Sequence, residues 1–423
     1  MSSFSRQRGA AALSVTLLLL FVLTLVVGFA GRHLMFEQRA AANQVRSTQA
    51  FEAAEAGLAW AQAMLNRPAA VDVLCAPVDD AGQSSFRDRM LAYDAASQQY
   101  VPRTWNDDGQ AVALHAACVF DADGWRCSCP ATGAPALAAP AATGTHPAFA
   151  VRLVAVPRRG LVQLVVTGCD RYAPACLPGS PVGPAGDATA QLQVLLGLLP
   201  ALATLPAAAL TVRGDAVADG ALVLVNDQSE GTGLAVQAGG AVGLPRAMLT
   251  TSPGRTPAEA VAADDETLAG TPADRLLTRL LGVDLLRWLQ LPTVQRLDCP
   301  ADCTAALTAA TAAPGALISL HVAGDLVLEG GATFGDAERP LLLVVDGAVR
   351  LRGGVRLHGV VISRSASWDT HGSADARIDG ALVALGEVVG DGSATIVHDE
   401  GVLSRLGAQA GSFVVVPGSW RDF

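Results

Sequence analysis

The first hydrophobic stretch of the chain is long enough to cross a membrane. No charged residue occurs between Gly9 and Arg32, and the run over residues 10–30 is mostly apolar. Since an α-helix rises about 1.5 Å per residue, roughly 20 residues span a hydrocarbon core about 30 Å thick. The basic residues Arg6 and Arg8 precede the run. By the positive-inside rule, this predicts a single-pass membrane helix with its start in the cytoplasm and the rest of the chain across the membrane.

The same pattern continues past the apolar run as a polar helix. No proline occurs before Pro68, so the sequence predicts one continuous helix over residues 10–66. A cleaved secretory signal is the alternative, but its apolar region covers only about 7–15 residues. The longer run favours a helix that stays anchored and contacts membrane lipid.

Residues 67–200 alternate between strand-like runs and turns. The runs at 148–154 and 161–167 are rich in Val and Leu, and a Pro-Arg-Arg-Gly turn at 157–160 joins them. This arrangement predicts an antiparallel hairpin. A third strand-like run follows at 190–196. We therefore expect a small globular module with an antiparallel sheet.

Residues 201–423 repeat short apolar runs that begin or end at glycine. Such a repeat predicts an all-β, solenoid-like C-terminal domain, with a β-sandwich as the competing arrangement because the spacing is irregular. Leucines at helical spacing between Leu276 and Trp288 interrupt the repeat and predict a helical insertion over residues 245–313. The predicted fold class is α+β, with a long transmembrane helix, an antiparallel-sheet module and a solenoid-like domain.

The cysteines indicate an oxidising compartment. All eight follow the apolar run, and an even count is typical of a disulfide framework: Cys75, Cys118, Cys127, Cys129, Cys169, Cys176, Cys299 and Cys303. We expect local bridges between Cys169 and Cys176 and between Cys299 and Cys303. Cys127 and Cys129 are too close in sequence to bridge each other, so Cys75 and Cys118 are candidate partners. Paired C-x-x-C spacing is absent, which argues against a zinc site.

Charge and motifs argue against nucleic-acid binding and against catalysis. The net charge of −10, with no basic patch containing interleaved aromatic residues, argues against a nucleic-acid partner. The C-terminal half contains aspartates and histidines, residue types that could in principle act on polysaccharide: Asp346, Asp369, His371, Asp375, Asp379 and His398. Each of these aspartates lies within three residues of a glycine, where Asp is a common turn former, and His358 has the position of a strand residue. We therefore predict no enzyme activity, no cofactor and no metal.

The N-terminal residues resemble a known family. Residues 9–15, GAAALSV, follow the Gln-Arg-Gly leader, and residues 51–57 read FEAAEAG. Together they resemble a PilX-type type IV pilus assembly protein, a minor pilin. The resemblance implies that prepilin peptidase removes residues 1–9 by cutting after Gly9, which leaves Ala10 open to methylation. It also implies other minor and major pilins and the inner-membrane pilus assembly platform as partners, and a place on the pilus or cell surface after assembly.

The chain departs from the major-pilin pattern at the position of Ser14, where a glutamate is usual. That carboxylate is thought to neutralise a neighbouring subunit's N-terminal amine within an apolar filament core, where an unpaired charge is costly. Phe51, Leu58 and Leu65 recur every seven residues and predict a packing stripe, shared between the protein's own globular part and the filament. The expected role is a structural subunit that primes assembly or presents an adhesive tip.

Two alternatives remain at the level of the sequence. One is the related tip pseudopilin of type II secretion, which neighbouring genes would distinguish. The other is a membrane-tethered carbohydrate-active enzyme, which polysaccharide cleavage by the exported part would reveal.

Overall fold

The structure is a computed structural model that describes residues 8–80, 82–94, 96–97, 99–107, 109–141, 144–158, 160–172, 188–228, 231–244, 247–291, 293–299, 302–312, 318–369, 376–390 and 392–422. Its helices are α1 (Arg8–Leu65), α2 (Phe86–Met90), α3 (Glu266–Gly270), α4 (Ala273–Leu281), α5 (Leu285–Trp288), α6 (Thr304–Ala312) and α7 (Glu400–Gln409). A short 3-10 helix covers Pro257–Ala260.

The strands fall into two groups, one on either side of residue 200. The first nine are β1 (Leu91–Asp94), β2 (Gln99–Pro102), β3 (Thr104–Asp107), β4 (Gln110–Ala113), β5 (His115–Asp121), β6 (Gly124–Ser128), β7 (Ala148–Ala155), β8 (Leu161–Cys169) and β9 (Thr189–Leu199). The next group opens with β10 (Ala208–Val212), β11 (Ala216–Ala218), β12 (Leu222–Asn226), β13 (Leu234–Ala238), β14 (Val242–Gly243), β15 (Met248–Thr251), β16 (Val261–Ala262) and β17 (Val294–Leu297). It continues with β18 (Ser319–Val322), β19 (Leu326–Glu329), β20 (Thr333–Phe334), β21 (Leu341–Arg352), β22 (Arg356–Asp369), β23 (Ala376–Ala384), β24 (Val388–Gly390), β25 (Ala394–His398), β26 (Ser412–Val415) and β27 (Arg421–Asp422).

Helix α1 is continuous, as the sequence predicts. Alanine and leucine, the strongest helix formers, dominate its composition. It ends where the backbone N–H of Arg67 bonds the carbonyl of Met64, immediately before Pro68. Its last turns, from Ala50 to Leu65, lie on a seven-stranded antiparallel sheet. The core between them contains Phe149, the inward side chains of β7–β9 and Phe413.

The antiparallel sheet has the strand order β6–β5–β7–β8–β9–β26, with β27 also paired to β9. The hairpin predicted at 148–154 and 161–167 is confirmed as β7 and β8, which pair from Ala148 opposite Cys169 to Ala155 opposite Val162. Two smaller hairpins, β1–β2 and β3–β4, accompany it. We call α1 after residue 50, α2, β1–β9, β26 and β27 the sheet module.

Strands β10–β25, here called the β-coil, form three parallel ladders. The first ladder runs β17–β18–β21–β22–β23–β10–β13–β16, the second β19–β21–β22–β24–β11–β14, and the third β20–β22–β23–β25–β12–β15. The long strands β21, β22 and β23 each pass from one ladder to another. This architecture confirms the predicted α+β class, with a C-terminal region that is mostly β and contains a curled parallel sheet.

The order of the stack differs from the order of the chain. The chain enters at β10, in the middle, and β10 pairs with both β13 and the much later β23. Leu210 lies opposite Leu382 in that second pairing. Strands β10–β16 therefore extend away in one direction, and the chain begins again at the far end with β17 and winds back to β10.

Both surfaces of the first ladder are buried in its middle, over β18, β21, β22, β23 and β10. Its inner side chains, such as Leu343 and Val361, join the core of the β-coil. Its outer side chains, such as Leu342 and Ile362, pack under α4, α5, α7 and Trp288. This double burial explains why these strands read as continuous apolar runs and not as alternating ones.

Helices and strands are interleaved around the expected domain boundaries. The range 245–313 contains α3–α6, but it also contains β15, β16 and β17, which join the ladders. Strands β26 and β27 return to the sheet module, where Ser412 lies opposite Leu199 of β9. The β-coil is thus inserted between two neighbouring strands of one sheet, a topology that no local pattern in the sequence indicates.

Candidate assembly surface

The N-terminal part of α1 projects apolar side chains that nothing in the protein covers. We call residues 12–36 the membrane-length segment. Its large apolar side chains are all exposed: Leu13, Val15, Leu17, Leu18, Leu19, Leu20, Phe21, Val22, Leu23, Leu25, Val26, Val27, Phe29, Leu34, Met35 and Phe36. Within the described part of the chain, this is the one helix long and apolar enough to cross a membrane. An apolar surface of this extent marks a membrane or a protein interface.

Both threonine hydroxyls within the segment bond to carbonyls of the same helix. The hydroxyl of Thr16 donates to the carbonyl of Leu13 at 2.9 Å, and that of Thr24 donates to Phe21 at 2.8 Å. Near the C-terminal end of the segment, Nδ1 of His33 lies 3.0 Å from Oε1 of Glu37. Ser14 lies on the exposed surface of the helix. The segment can therefore enter an apolar medium without an unbonded hydroxyl at either threonine.

The second half of α1 lies almost directly on the sheet. A Cβ added at Gly57 would lie 2.7 Å from Val166 and 2.8 Å from the Phe149 ring. A Cβ at Gly168 of β8 would overlap the backbone of α1 at Ala50 and Ala54. Both glycines are therefore required by the close approach of helix and strand.

The predicted packing stripe faces the protein's own sheet. Leu65 is buried, and Phe51 and Leu58 are half-buried against the same core. Glu52, Glu55, Ala59 and Ala63 are instead exposed on the opposite surface. The surface left for neighbours over residues 50–65 is thus narrow, with small and acidic side chains.

A buried carboxylate holds the helix to the sheet. Asp170, fully buried at the end of β8, lies 3.9 Å from Arg46 of α1 and 3.8 Å from Arg171. It also accepts a hydrogen bond from the backbone N–H of Ala188 at 3.0 Å. A buried charge needs such partners, so removal of either one would be costly.

Two polar side chains join the end of α1 to β26 and to the end of α7. Asn66 bonds both backbone groups of Phe413, donating to its carbonyl at 2.9 Å and accepting from its N–H at 2.7 Å. The buried guanidinium of Arg87 donates to the carbonyls of Leu65 and Gln409, each at 2.8 Å. Sequence reasoning missed both residues, because their partners Phe413 and Gln409 lie more than 300 positions away.

Disulfides close the loops around this core. The structure joins Cys75 to Cys129 and Cys118 to Cys127, so each cysteine of the closely spaced pair takes a separate partner. Cys299 is joined to Cys303. Cys169 is disulfide-bonded as well, whereas Cys176, and with it the expected pairing, lies outside the described residues.

Arg89 bonds the backbone of the two segments that the Cys75–Cys129 disulfide joins. Its buried guanidinium donates to the carbonyls of Cys129 at 2.6 Å, Asp72 at 3.1 Å and Val71. Burial lowers the pKa of this guanidinium, and the charge of Asp72 partly opposes the shift. The carbonyl cage explains how a cation is tolerated there.

Among the residues considered for polysaccharide chemistry, those whose side chains the structure describes each have a polar partner. Asp346 lies 3.2 Å from His321. Asp379 accepts from Arg377 at 2.6 Å, with His358 at 3.7 Å. The ring of His398 is buried 3.0 Å from the carbonyl of Pro206.

His371 and Asp375 lie outside the described residues, as does the side chain of Asp369. Over the described part of the chain, no group of three or more His, Cys, Asp or Glu residues could hold a metal ion.

Comparison with known proteins identifies the N-terminal segment. Residues 8–59 match the family model described as PilX N-terminal. No curated protein matches the chain. Among solved structures, the competence-associated pilin ComZ from Thermus thermophilus aligns over 89% of this chain and 97% of its own, with 12% identity and a TM-score of 0.24. A TM-score that low does not support a shared fold, so the similarity to type IV pilins depends on the family match over residues 8–59.

The predicted resemblance is thereby confirmed for the N-terminal segment, which is type IV pilin-like. Together with the single apolar helix, it fits a membrane-anchored, pilus-related subunit.

Proposed function

We propose that the protein is a minor pilin-like, non-enzymatic subunit that primes a type IV pilus or occupies its tip. The observation that supports the proposal is that the two halves of α1 have different surroundings. Its membrane-length segment is fully exposed, whereas its last turns are built into the sheet module. Such a helix can stay in the inner membrane and then exchange lipid for the helices of neighbouring pilins.

Two features favour a position of the subunit at the tip of the pilus and not along its shaft. Ser14 supplies no carboxylate for the N-terminal amine of an adjacent subunit, so repeated stacking would leave charges unpaired in an apolar core. The β-coil also adds a large body at residues 201–410, which would have to fit between neighbours along a shaft. Both features are compatible with a subunit that has neighbours on one side.

Processing and partners are part of the same proposal. Prepilin peptidase would cut after Gly9 and expose Ala10 to methylation. The processed subunit would then contact other minor pilins, major pilins and the assembly platform at the inner membrane. The periplasm is the expected location of the disulfide-bonded part, since disulfides persist in oxidising compartments.

Location within filaments gives the direct test. An epitope inserted at the exposed loop beside Gly331 would be labelled with gold on sheared filaments. We expect label at one filament end and loss of filaments in a deletion strain. Label along the whole shaft, or normal filaments without the protein, would contradict a priming or tip role. Co-purification with pseudopilins and a secretin would instead assign the protein to type II secretion.

A further inference from the structure

A cavity of about 420 Å³ lies where the sheet module meets the β-coil. Its volume is in the range of small-molecule sites, about 300–1,000 Å³. Five arginines line it, two from loops of the sheet module, one from α2, one from the loop before β21 and one from α7: Arg67, Arg103, Arg87, Arg339 and Arg405. Among the described residues, two carboxylates line the same space, Asp88 and Glu338. The lining thus carries an excess of three positive charges.

This excess already counts both carboxylates. Asp88 accepts a hydrogen bond from the hydroxyl of Ser85 at 2.8 Å. Glu338 is exposed. Arg87 and Arg405 bond carbonyls, to Gln409 and Ala337 respectively, at 2.8 Å, and these contacts leave the cationic charge in place. Like charges gathered in one cavity repel each other unless a counter-ion joins them.

The cavity is also rich in hydrogen-bond donors. Tyr93 lies on its wall beneath the guanidinium of Arg405, whose central carbon is 5.8 Å from the ring centre. Tyr100 lines the cavity too, and burial raises the pKa of its hydroxyl to about 12. That hydroxyl therefore stays protonated at neutral pH and can donate. Planar guanidinium groups match the oxygens of phosphate and carboxylate in two-point contacts.

We propose that this cavity binds a small multivalent oxyanion, a molecule bearing phosphate or several carboxylates. Such a ligand brings acceptor oxygens and negative charge to a space that offers donors and positive charge. Its guanidinium contacts would come from both bodies of the protein, because Arg67 and Arg103 belong to the sheet module whereas Arg339 and Arg405 belong to the β-coil side. Binding therefore fixes the β-coil relative to the anchoring helix.

The test uses the full chain in detergent, in chloride buffer, titrated calorimetrically with inorganic phosphate and separately with citrate. The cavity variant carries Arg67→Gln, Arg103→Gln and Arg339→Gln, three arginines with exposed side chains. The control variant carries Arg275→Gln, Arg279→Gln and Arg287→Gln, three exposed arginines of α4 and α5 that remove the same charge elsewhere. Circular dichroism checks that each variant is folded.

We expect saturable binding of at least one anion by the unchanged protein and the control, and at least tenfold weaker binding by the cavity variant. Phosphate binding more tightly than citrate would identify a phosphate ligand, and the reverse order a polycarboxylate. Without anion, the cavity variant should unfold at the same or a higher temperature, since like charges have been removed. Absence of saturable binding, or equal binding by the cavity variant, would overturn the proposal. If the triple variant does not fold, Arg67→Gln and Arg103→Gln are tested singly by the same criterion.

Discussion

At the scale of single residues, two glycines set the distance between the anchoring helix and its sheet. Gly57 of α1 and Gly168 of β8 lie where a Cβ would meet atoms of the opposite element. The sequence shows Gly57 as one small residue among several alanines, and Gly168 as a break in a strand-like run. Neither pattern identifies the contact partner, since the two residues come together only in the folded chain.

Substitution of Gly168 tests this contact. Gly168→Ala places a methyl group against the backbone of Ala50 and Ala54, which cannot move as a side chain would. We expect about 1–3 kcal/mol of destabilisation, as for overpacked cores. Urea unfolding in detergent measures it. Gly331→Ala is the control, because nothing lies within 4 Å of its added Cβ; equal stability of the two variants would contradict the account.

A buried histidine gives the fold a predictable response to acid. His115 of β5 lies opposite Arg152 of β7, and burial, followed by the nearby Arg152 charge, lowers the pKa of its ring, while the carbonyl of Ala113 opposes the shift. A lowered pKa means that the unfolded chain takes up a proton at a higher pH than the folded chain does.

Stability from His115 is therefore present above about pH 6.5, the ordinary value for histidine, and is lost as pH falls through the folded pKa. His115→Gln should flatten the fall in unfolding free energy between pH 7 and about pH 5. Gln110→Ala, an exposed change in the same module that involves no titratable group, should keep the slope of the unchanged protein. An unchanged slope in His115→Gln would show that this residue does not govern the response.

At the scale of elements, α6 closes one end of the β-coil. Leu307 is fully buried in the coil core, and the hydroxyl of Thr304 accepts from the N–H of Glu329 on β19. The backbone N–H of Cys303, in the Cys299–Cys303 bridge, donates to the carbonyl of Val327. A stack of parallel strands needs a cap of this kind to cover its terminal edge and core.

Removing the cap contact should loosen that end of the stack. Leu307→Ala is expected to cost about 2–5 kcal/mol, as large-to-small core changes do. Amide hydrogens of β19 should then exchange faster than those of β10, in the middle of the stack. Thr308→Ala, an exposed change on the same helix, serves as control. Equal exchange of β19 in both variants would mean that α6 is not the cap.

The elements also show what the sequence could predict. The membrane-length segment, the hairpin of β7 and β8 and the helical spacing of Leu276–Leu281 follow from local periodicity, and each is present. The pairing of β10 with β23 was beyond such reasoning, because Leu210 and Leu382 are far apart in the chain. The short strands β14 and β16, of two residues each, are too brief to show any period.

At the scale of the whole molecule, the β-coil is an insertion into the sheet module. The chain leaves at Leu199 and returns at Ser412, and these residues are opposite one another in neighbouring strands. Asn66 then bonds the returning strand to the end of α1, and Arg87 bonds that end of α1 to the end of α7. Because the chain leaves and re-enters the sheet at neighbouring strands, a large β-coil can be inserted without disrupting the sheet on which α1 packs.

The central claim, that the chain is a processed pilin-class subunit, is tested most directly by intact-mass measurement of the protein from cells with and without active prepilin peptidase. The account predicts loss of residues 1–9 only where the peptidase is active, with or without a methyl group on Ala10. Unaltered mass in both strains would contradict it, and the N-terminal helix would then be a plain signal anchor.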